Sequence, residues 1–475
     1  MSEPKKVGRR TFLNYAIAVV ATGVIVGAAT YFAVPKEVTT VTAPGATVTT
    51  TKTVTTTVAG TPTPTPPTPP TTPPGKPKLT AWYRMTFLED FNVYLREKTL
   101  EWAQKRGVEV ELSQLPFTEI YAKLTAAIDA GNPPDISLWA PLALAAEKPE
   151  TRLLLPVDDV INEIGREDFY KPAIKVGSIE GKAYQLPLWC EPYLWHIRKD
   201  VLEKKGIQVK SPLSWKEAKD IAEKVNDPAN DFYGLGITLG MNEDTTNQWN
   251  SLWWEFGGQY FTTKSASGVK IKSTATREAV EYLVDAYKRK LIPPDAIEWD
   301  AAGNNKCYIG GRGMMVMNPA SIMYALNKEN PDLFNKTLLV FPPVVFGGTN
   351  GFVVYKTCKY PDLAKDLLAY ILKDKESYRK RLIEPSLGYC CPIYKSIAEE
   401  LKKIPYWAPF ANAVEFTHQS SYPIDEPCMA LDEAGPKYII VKMLQKILLE
   451  GQDIDAAIDW AHNEYVAIFR KHYGD

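Results

Sequence analysis

Three tryptophans crowd into six residues, Trp249, Trp253 and Trp254, beside the amides of Gln248 and Asn250. An indole offers a flat apolar face, against which the C–H face of a sugar ring can lie. The hydroxyls of that ring need matched partners, because an unsatisfied polar group in a closed cleft costs about 1–3 kcal/mol. The segment therefore predicts a sugar contact, and the alternative is that its rings pack in a core. Trp249 and Trp253 would share one face of a helix.

A second set of candidates stands at the ends of two predicted strands. Trp82, Tyr83 and Arg84 end the strand that begins at Lys78, and Trp139 ends a short strand that begins at Asp135. Ligands of open α/β sheets bind beyond the carboxyl ends of the strands. We therefore expect these four residues to contact a ligand, against the alternative that they pack at the domain surface.

Catalytic and metal-binding patterns are absent from the sequence. It contains no GxSxG, HExxH or GxxxxGK[ST] motif. A glycosidase would need two carboxylates flanking its substrate, but the acids nearest the first strand, Glu89 and Asp90, are adjacent and fit a solvated pair before a helix. His196 fits a packed residue better than a catalytic base. An exported enzyme remains the main alternative to a binding protein.

The cysteines give no sign of a cofactor. None of the six forms a CxxC pair or stands at metal-ligand spacing from a histidine, so neither zinc nor a haem or iron–sulfur group is expected. One or two disulfides are possible in a secreted protein, and the sequence leaves their pairing open. The cysteines are Cys190, Cys307, Cys358, Cys390, Cys391 and Cys428.

The overall composition describes a globular protein of two or three domains. The chain has 475 residues, 45% of them apolar and 23% charged, which is too long for one ordinary core. Its formal net charge is −1, and a nucleic-acid-binding protein would normally carry a basic patch. No nucleic-acid partner is therefore expected.

The N-terminal segment predicts export. Four positive charges precede an apolar run over residues 15–34 that is long enough to span a bilayer, and this bias keeps residues 1–14 in the cytoplasm. Arg9 and Arg10 with Phe12 and Leu13 resemble a twin-arginine export signal, and a plain Sec-type signal is the alternative. Without a clean Ala-x-Ala site, the helix is expected to stay as an anchor. Residues 35–77, rich in Thr and Pro, predict an extended, disordered stalk.

The remaining chain alternates strands and helices. Strands are predicted at 78–83, 108–114 and 135–139, with helices at 91–106 and from Thr118 to about Gly131 between them. Later helices are predicted from Ser214, whose S-x-x-E form is a capping box, and over 276–290, 361–373 and 454–472, with strands at 314–317 and 351–355. This order is typical of an α/β protein with parallel strands.

Several ordered segments resemble the maltose-binding-like class of extracellular solute-binding proteins, the family 1 receptors of ABC importers. The segments are Asp129-Ala-Gly-Asn-Pro-Pro-Asp-Ile-Ser-Leu-Trp139, Leu155-Pro-Val-Asp-Asp159, Gly181-Lys-Ala-Tyr-Gln-Leu-Pro187, Lys199-Asp200, Ser214-Trp-Lys-Glu217, Gly311-Arg-Gly-Met-Met-Val-Met317, Pro361-Asp-Leu-Ala-Lys365 and Gly388-Tyr-Cys-Cys-Pro392. Each is weak alone, and their order and spacing carry the resemblance over 78–473.

The resemblance implies a two-lobed periplasmic-binding-protein-like fold of type II, whose lobes close on a hinge over a solute. The first lobe is expected over 78–190 and about 350–395, and the second over 191–349 and about 396–475. Its partners would be a small solute and the permease subunits of an ABC importer, with no cofactor and no metal. The anchor and stalk resemble the way many archaea tether binding proteins to the outer face of the cytoplasmic membrane.

The resemblance also adds site residues. Glu191 and Tyr193 stand in the first predicted crossing between lobes, and in maltose-type receptors an acid at the Glu191 position bonds sugar hydroxyls; a hinge salt bridge is the alternative. Asn318 follows the strand at Met314. Many sugar receptors have a tryptophan where this chain has Ser321, which puts a maltodextrin in doubt. Trp407 corresponds roughly to a late stacking tryptophan of the family.

The solute itself stays open between several classes. A peptide, a polyamine or an anion could fill the same cleft. Aromatic residues make up 11% of the chain, and a metal or anion receptor would need convergent charges and far fewer aromatics. The aromatic content therefore favours a sugar or oligosaccharide.

Overall fold

The computed structural model describes residues 76–475. The predicted cytoplasmic segment, the helix over 15–34 and all but the last two residues of the stalk lie outside the described residues. Within the described part of the chain, no helix is long and apolar enough to cross a membrane.

Twelve strands occur in this part of the chain. In chain order they are β1 (Lys78–Arg84), β2 (Glu109–Leu115), β3 (Ile136–Leu138), β4 (Ser178–Ile179), β5 (Lys182–Ala183), β6 (Leu186–Pro192), β7 (Leu194–Arg198), β8 (Tyr233–Leu235), β9 (Gly313–Asn318), β10 (Thr337–Val340), β11 (Val345–Val354) and β12 (Thr417–His418).

The α-helices of residues 76–475 surround these strands. They are α1 (Glu89–Arg106), α2 (Phe117–Asp129), α3 (Leu142–Ala146), α4 (Asp158–Ile164), α5 (Lys171–Lys175), α6 (Lys199–Lys205), α7 (Trp215–Val225), α8 (Glu243–Glu255), α9 (Thr274–Lys288), α10 (Gly303–Ile309), α11 (Ser321–Glu329), α12 (Pro331–Asn335), α13 (Pro361–Lys373), α14 (Lys375–Tyr378), α15 (Lys395–Leu401), α16 (Ala408–Ala413), α17 (Met429–Ala434), α18 (Ile439–Leu448) and α19 (Ile454–Tyr473).

The predicted helix ends have the expected local causes. Gly107 follows α1 at φ +67°, a left-handed conformation that costs glycine little. Ser214 forms a complete capping box with Glu217 at the start of α7, as its sequence predicts. The helix predicted at 361–373 has those bounds as α13.

The first sheet contains the predicted parallel unit. Strands β2, β1 and β3 run parallel in the order β2-β1-β3, with α1 and α2 as the crossovers. Strand β11 pairs antiparallel with β3 and with β6, and β12 lies at the far edge. Alternate residues of β1, Leu79, Ala81 and Tyr83, are fully buried, because helices cover the sheet. The predicted α/β class is confirmed.

The second sheet is smaller and mixed. Its order is β10-β7-β9-β8, with β7 antiparallel to β10 and β9, and β8 parallel to β9. Every residue of β9 is buried. Helices α7 and α8 pack beside this sheet, and their apolar residues join its core.

Short segments carry the chain between the two sheets. Only Tyr193 separates β6 of the first sheet from β7 of the second, and residues 341–344 lead back from β10 to β11. Residues of α15 and α16 pack with the first sheet, whereas α17 to α19 pack with the second. This packing favours a last crossing after Val414, later than the predicted limit near 395. Residues of α11 also join the core of the first sheet, so the lobes share apolar contacts.

Candidate functional site

A polar cluster forms where β1 ends. Arg84, its last residue, is only 9% exposed, and its Nη1 lies 2.5 Å from Asn350 Oδ1 and 3.8 Å from Glu191 Oε1. Glu191 Oε1 also accepts hydrogen bonds from Asn350 Nδ2 at 3.1 Å and from Trp189 Nε1 at 2.7 Å. Strands β1, β6 and β11 thus bring a guanidinium, a carboxylate and an amide together beside the first crossing.

Residues of the second sheet and its helices form a matching cluster. The hydroxyl of Tyr193 donates to Asp244 Oδ1 at 2.8 Å and accepts from Asn247 Nδ2 at 2.8 Å. Asn304 Nδ2 donates to Asp244 Oδ2 at 3.2 Å. Asp244 lies in the first turn of α8, which begins after the capping side chain of Asn242. These groups sit at the end of α8 that faces the crossing.

Electrostatic interactions join the two clusters. Burial works against the charge of Arg84, but Glu191, Tyr389 and Glu243 raise its pKa above the usual value. Burial, with smaller contributions from Glu243 and Glu191, raises the pKa of Asp244 to about 6, although hydrogen bonds with Tyr193 and Asn304 lower it. Burial likewise raises the pKa of Glu243, although its side chain reaches solvent. The charges of Arg84, Glu191, Glu243 and Asp244 thus influence one another.

An exposed aromatic ring lies beside these polar groups. Phe87, three residues after Arg84, is 53% exposed. It meets Tyr389 edge to face at 4.6 Å between ring centroids and Tyr324 of α11 at 5.5 Å. Tyr389 in turn interacts electrostatically with Arg84. A ring face open to solvent and next to planar polar groups is the combination that a sugar site requires.

The tryptophan cluster of α8 turns inward. The predicted shared face is confirmed, since Trp249 and Trp253 lie on one helix with ring centroids 5.8 Å apart. Trp253 is fully buried and its Nε1 donates to Thr276 Oγ1 at 3.0 Å. The ring thus lies in the core, as the alternative for this segment has it, and the contact of Trp253 with a ligand stays a prediction. Trp254 packs on Phe346 and Tyr422.

Two more predicted contacts belong to the core. Tyr83 is fully buried against Phe352, and its hydroxyl lies 3.0 Å from that of Thr99. Trp407 precedes α16 and packs on Tyr406 and Phe410. Both rings pack in the core of the first lobe, and their contact with a ligand stays a prediction.

The other predicted ligand residues are either half-buried or have a buried polar atom without a hydrogen-bond partner among residues 76–475. Trp82 and Trp139 are half-buried, and Trp139 adopts φ +82° with its ring 5.4 Å from that of Tyr121. Asn318 ends β9, and its Oδ1 is buried without a hydrogen-bond partner among residues 76–475. The indole N–H groups of Trp249 and Trp254 are also buried without a partner in this part of the chain. Their roles stay predictions.

The site residues that the sequence analysis missed come from several elements. None of the sequence motifs contains the following five residues: Phe87, Asp244, Asn247, Asn304 and Asn350. The only available signals were the position of Phe87 after a strand end and the position of Asp244 after the helix-capping pattern at Asn242. Asn350 and Asn304 gave no signal, because only the tertiary fold brings them to Arg84 and Asp244.

His196 and the cysteines lie in the interior of the described part of the chain. His196 is fully buried and burial lowers its pKa to about 4, which confirms it as a packed, neutral residue. Among residues 76–475, no group of three His, Cys, Asp or Glu side chains could hold a metal ion. All six cysteines are buried and free. The planar polar side chains between the lobes are suited to hydrogen-bonding a small polar solute.

This chain is similar to several known proteins. The family model described as a bacterial extracellular solute-binding protein matches residues 97–412. The maltotriose-binding protein of Pyrococcus abyssi is 28% identical over 191 residues, covering 40% of this chain and 39% of that protein. Among solved structures, a solute-binding protein of an ABC transporter from Thermotoga lettingae, bound with α-D-tagatose, has a TM-score of 0.69 at 21% identity and covers 83% of this chain and 100% of that one.

A second structure shares the fold. The maltose-bound MalE3 of T. maritima has a TM-score of 0.66 at 18% identity, over 82% of this chain and 98% of that one. Such likenesses establish the two-lobed α/β fold of periplasmic binding proteins for residues 76–475. Because the family model spans well over half of the sequence, this chain belongs to the family of bacterial extracellular solute-binding proteins.

Proposed function

We propose that this chain binds a small uncharged sugar between its lobes and delivers it to an ABC importer without changing it. Two polar clusters carry the proposal. Arg84, Glu191 and Asn350 form the first, at the edge of the first sheet. Tyr193 and Asp244 form the second, at the start of α8, and it interacts electrostatically with the first. Carboxylates accept hydrogen bonds from sugar hydroxyls, and the guanidinium and amides donate to them.

The exposed ring of Phe87 supports a sugar over the other solutes. A polyamine or an inorganic anion has no broad C–H face to lay against an aromatic ring, whereas a sugar has one. The sugars named for the similar proteins, tagatose, maltose and maltotriose, are in the same chemical class. An anionic solute is disfavoured because Glu191, Glu243 and Asp244 outnumber Arg84 at the site.

The N-terminal sequence supports a proposal for where the protein works. We propose that residues 15–34 anchor it to the cytoplasmic membrane after export by the twin-arginine route, with residues 35–77 as a stalk. The receptor would then work on the outer face, in the archaeal manner, where it meets the permease subunits. The four positive charges before the apolar run and the single pair Lys36-Glu37 after it support this orientation.

The first experiment is a thermal-shift screen of the purified chain against sugars, peptides, polyamines and anions. A solute that binds only the folded state stabilises it by RT ln(1 + [L]/Kd), about 2.7 kcal/mol at 100 times Kd. We expect a neutral sugar to give the largest shift. A shift with a polyamine or a peptide and none with sugars would retain the fold assignment and refute the sugar.

Removing the ring of Phe87 should weaken sugar binding. We expect Phe87→Ala to raise Kd by up to about tenfold, because aromatic contacts contribute about 0.5–1.5 kcal/mol beyond the area they bury. Titration calorimetry would measure the change. Leu100→Ala is the matched control, since Leu100 of α1 is 51% exposed and remote from Arg84 in the chain; equal losses in both variants would contradict a role for the ring.

Sugar binding should also depend on the ionisation of Asp244. As the pH falls through about 6, the carboxylate takes up a proton and loses acceptor capacity, so Kd should rise. The folded-state pKa is raised, so Asp244 should lower stability above pH 6, and this penalty should fade toward pH 4. Binding measured between pH 5 and 8 should show a smaller slope in Asp244→Asn. An unchanged slope in that variant would assign the pH dependence to another group.

A further inference from the structure

A set of polar contacts joins helices that belong to different lobes. Asp432 of α17 accepts hydrogen bonds through Oδ2 from the backbone N–H groups of Ala143 at 2.9 Å and Leu144 at 3.2 Å. Both donors lie in the first turn of α3, a helix whose N–H groups have no intrahelical partner there. The carboxylate of one lobe thus satisfies backbone donors of the other.

Glu147, immediately after α3, is an acid of the first lobe that contacts donors of the second. Its Oε1 lies 2.5 Å from Lys264 Nζ, and its Oε2 accepts from the Met429 backbone N–H at 2.8 Å and from the Tyr473 hydroxyl at 2.6 Å. The Glu147 side chain is only 10% exposed. All three of its partners belong to segments that pack with the second sheet.

The apolar residues beside these contacts stay within their own lobes. Ala145 and Ala146 of α3 pack with Ile120 and Tyr355 of the first lobe, whereas Ala430 and Ala434 of α17 pack in the core of the second sheet. Hydrogen bonds therefore join α3 to α17, and the ion pair of Glu147 with Lys264 joins the residue after α3 to the second lobe. Water can replace such partners when lobes separate, so this contact can open without exposing a core.

The contact also borders the candidate site. Helix α3 begins three residues after Trp139, the predicted ligand residue at the end of β3. Tyr438, which follows α17, interacts electrostatically with Glu243. Burial raises the pKa of the Asp432 carboxyl to about 6. The contact thus lies between α3 and α17, next to groups that face the space between the lobes.

We propose that Glu147 and Asp432 are positioning residues that hold the two lobes closed over the bound solute. The proposal rests on the proposed function for its purpose, but the closed contact itself can be measured without a ligand. Glu147→Gln and Asp432→Asn keep the shape of each side chain while removing its charge. Glu433→Gln is the matched control, because Glu433 is the neighbouring acid and pairs with Lys437, Lys471 and His472 of its own lobe.

The test is a distance measurement between spin labels on the two lobes of the full chain. Labels at Glu150→Cys and Lys442→Cys use exposed positions, while the native cysteines are buried. Without ligand, Glu147→Gln and Asp432→Asn should each broaden the distance distribution toward longer values, and Glu433→Gln should leave it as in the parent. Lys264→Met is a second way to remove the ion pair and should act like Glu147→Gln.

A ligand arm separates this proposal from the sugar assignment. With maltose or D-tagatose as probe, the Glu147 and Asp432 variants should release bound sugar at least tenfold faster than Glu433→Gln, with an association rate close to that of the parent. A parent-like distance distribution in folded Glu147→Gln, Asp432→Asn and Lys264→Met would overturn the proposal. Failure of both sugars to bind, with the distances changed as expected, would refute the sugar alone.

Discussion

Arg84→Ala should abolish sugar binding at concentrations that saturate the parent protein, with Kd raised by about 100-fold or more. The guanidinium is nearly buried and lies between Asn350 and Glu191. A hydrogen bond that involves a charged group contributes about 1.5–3 kcal/mol, so losing the guanidinium as donor to a sugar hydroxyl accounts for a loss of this size. Titration calorimetry with the sugar identified by the screen would measure it.

A matched variant separates this effect from a general loss of charge. Arg106→Ala removes an exposed arginine that pairs with Asp366 on the surface, and such pairs contribute about 0–1 kcal/mol. It should bind sugar like the parent. Equal affinities of Arg84→Ala and Arg106→Ala would show that the site lies elsewhere. Glu191→Gln should give an intermediate loss, because the amide keeps the size of the carboxylate and one acceptor oxygen.

Trp253→Ala should destabilise the protein strongly while leaving the sugar site intact in the folded fraction. Phe or Trp to Ala substitutions in a core cost about 3–5 kcal/mol, and Trp253 is fully buried between Trp249 and Tyr260. Its ring also lies so close to Gly258 that a Cβ there would stand 2.1 Å from the indole nitrogen. Urea unfolding monitored by circular dichroism should show a lower midpoint.

Trp460→Ala is the control, because it removes an indole that does not lie in the core. Trp460 is only partly buried, and Lys446 lies over its ring at 5.0 Å. Its truncation should lower the unfolding midpoint much less than that of Trp253. A parent-like midpoint for Trp253→Ala together with a large loss of sugar affinity would instead place Trp253 at the ligand site.

The strand end at β1 shows what the sequence could and could not predict. Its position was predictable from the apolar pattern, and Arg84 lies there as expected. Successive side chains of a strand point to opposite faces, so Tyr83 could not join its neighbours Trp82 and Arg84 on one face. The structure places Tyr83 on Phe352 in the core. Applying the two-residue period to the predicted contacts would have separated Tyr83 from the other two.

Helix α8 shows a second limit. The spacing of Trp249 and Trp253 predicts a shared face, which the structure contains. Spacing alone does not tell whether that face turns to a cleft or to a core, and here the polar first turn with Asp244 and Asn247 faces Tyr193 instead. Asn350 and Asn304 reach the site only through pairings of residues distant in sequence. No local pattern could have assigned them.

The most direct test of the account is calorimetric titration of the parent chain and Arg84→Ala with the sugar that gives the largest thermal shift, followed by recovery and chemical identification of the sugar. The account predicts one sugar bound per parent chain, loss of that binding in Arg84→Ala, and recovery of the sugar unchanged. Unaltered binding in Arg84→Ala would contradict the proposed site. Conversion of the sugar to a product would contradict the proposal that the chain is a receptor.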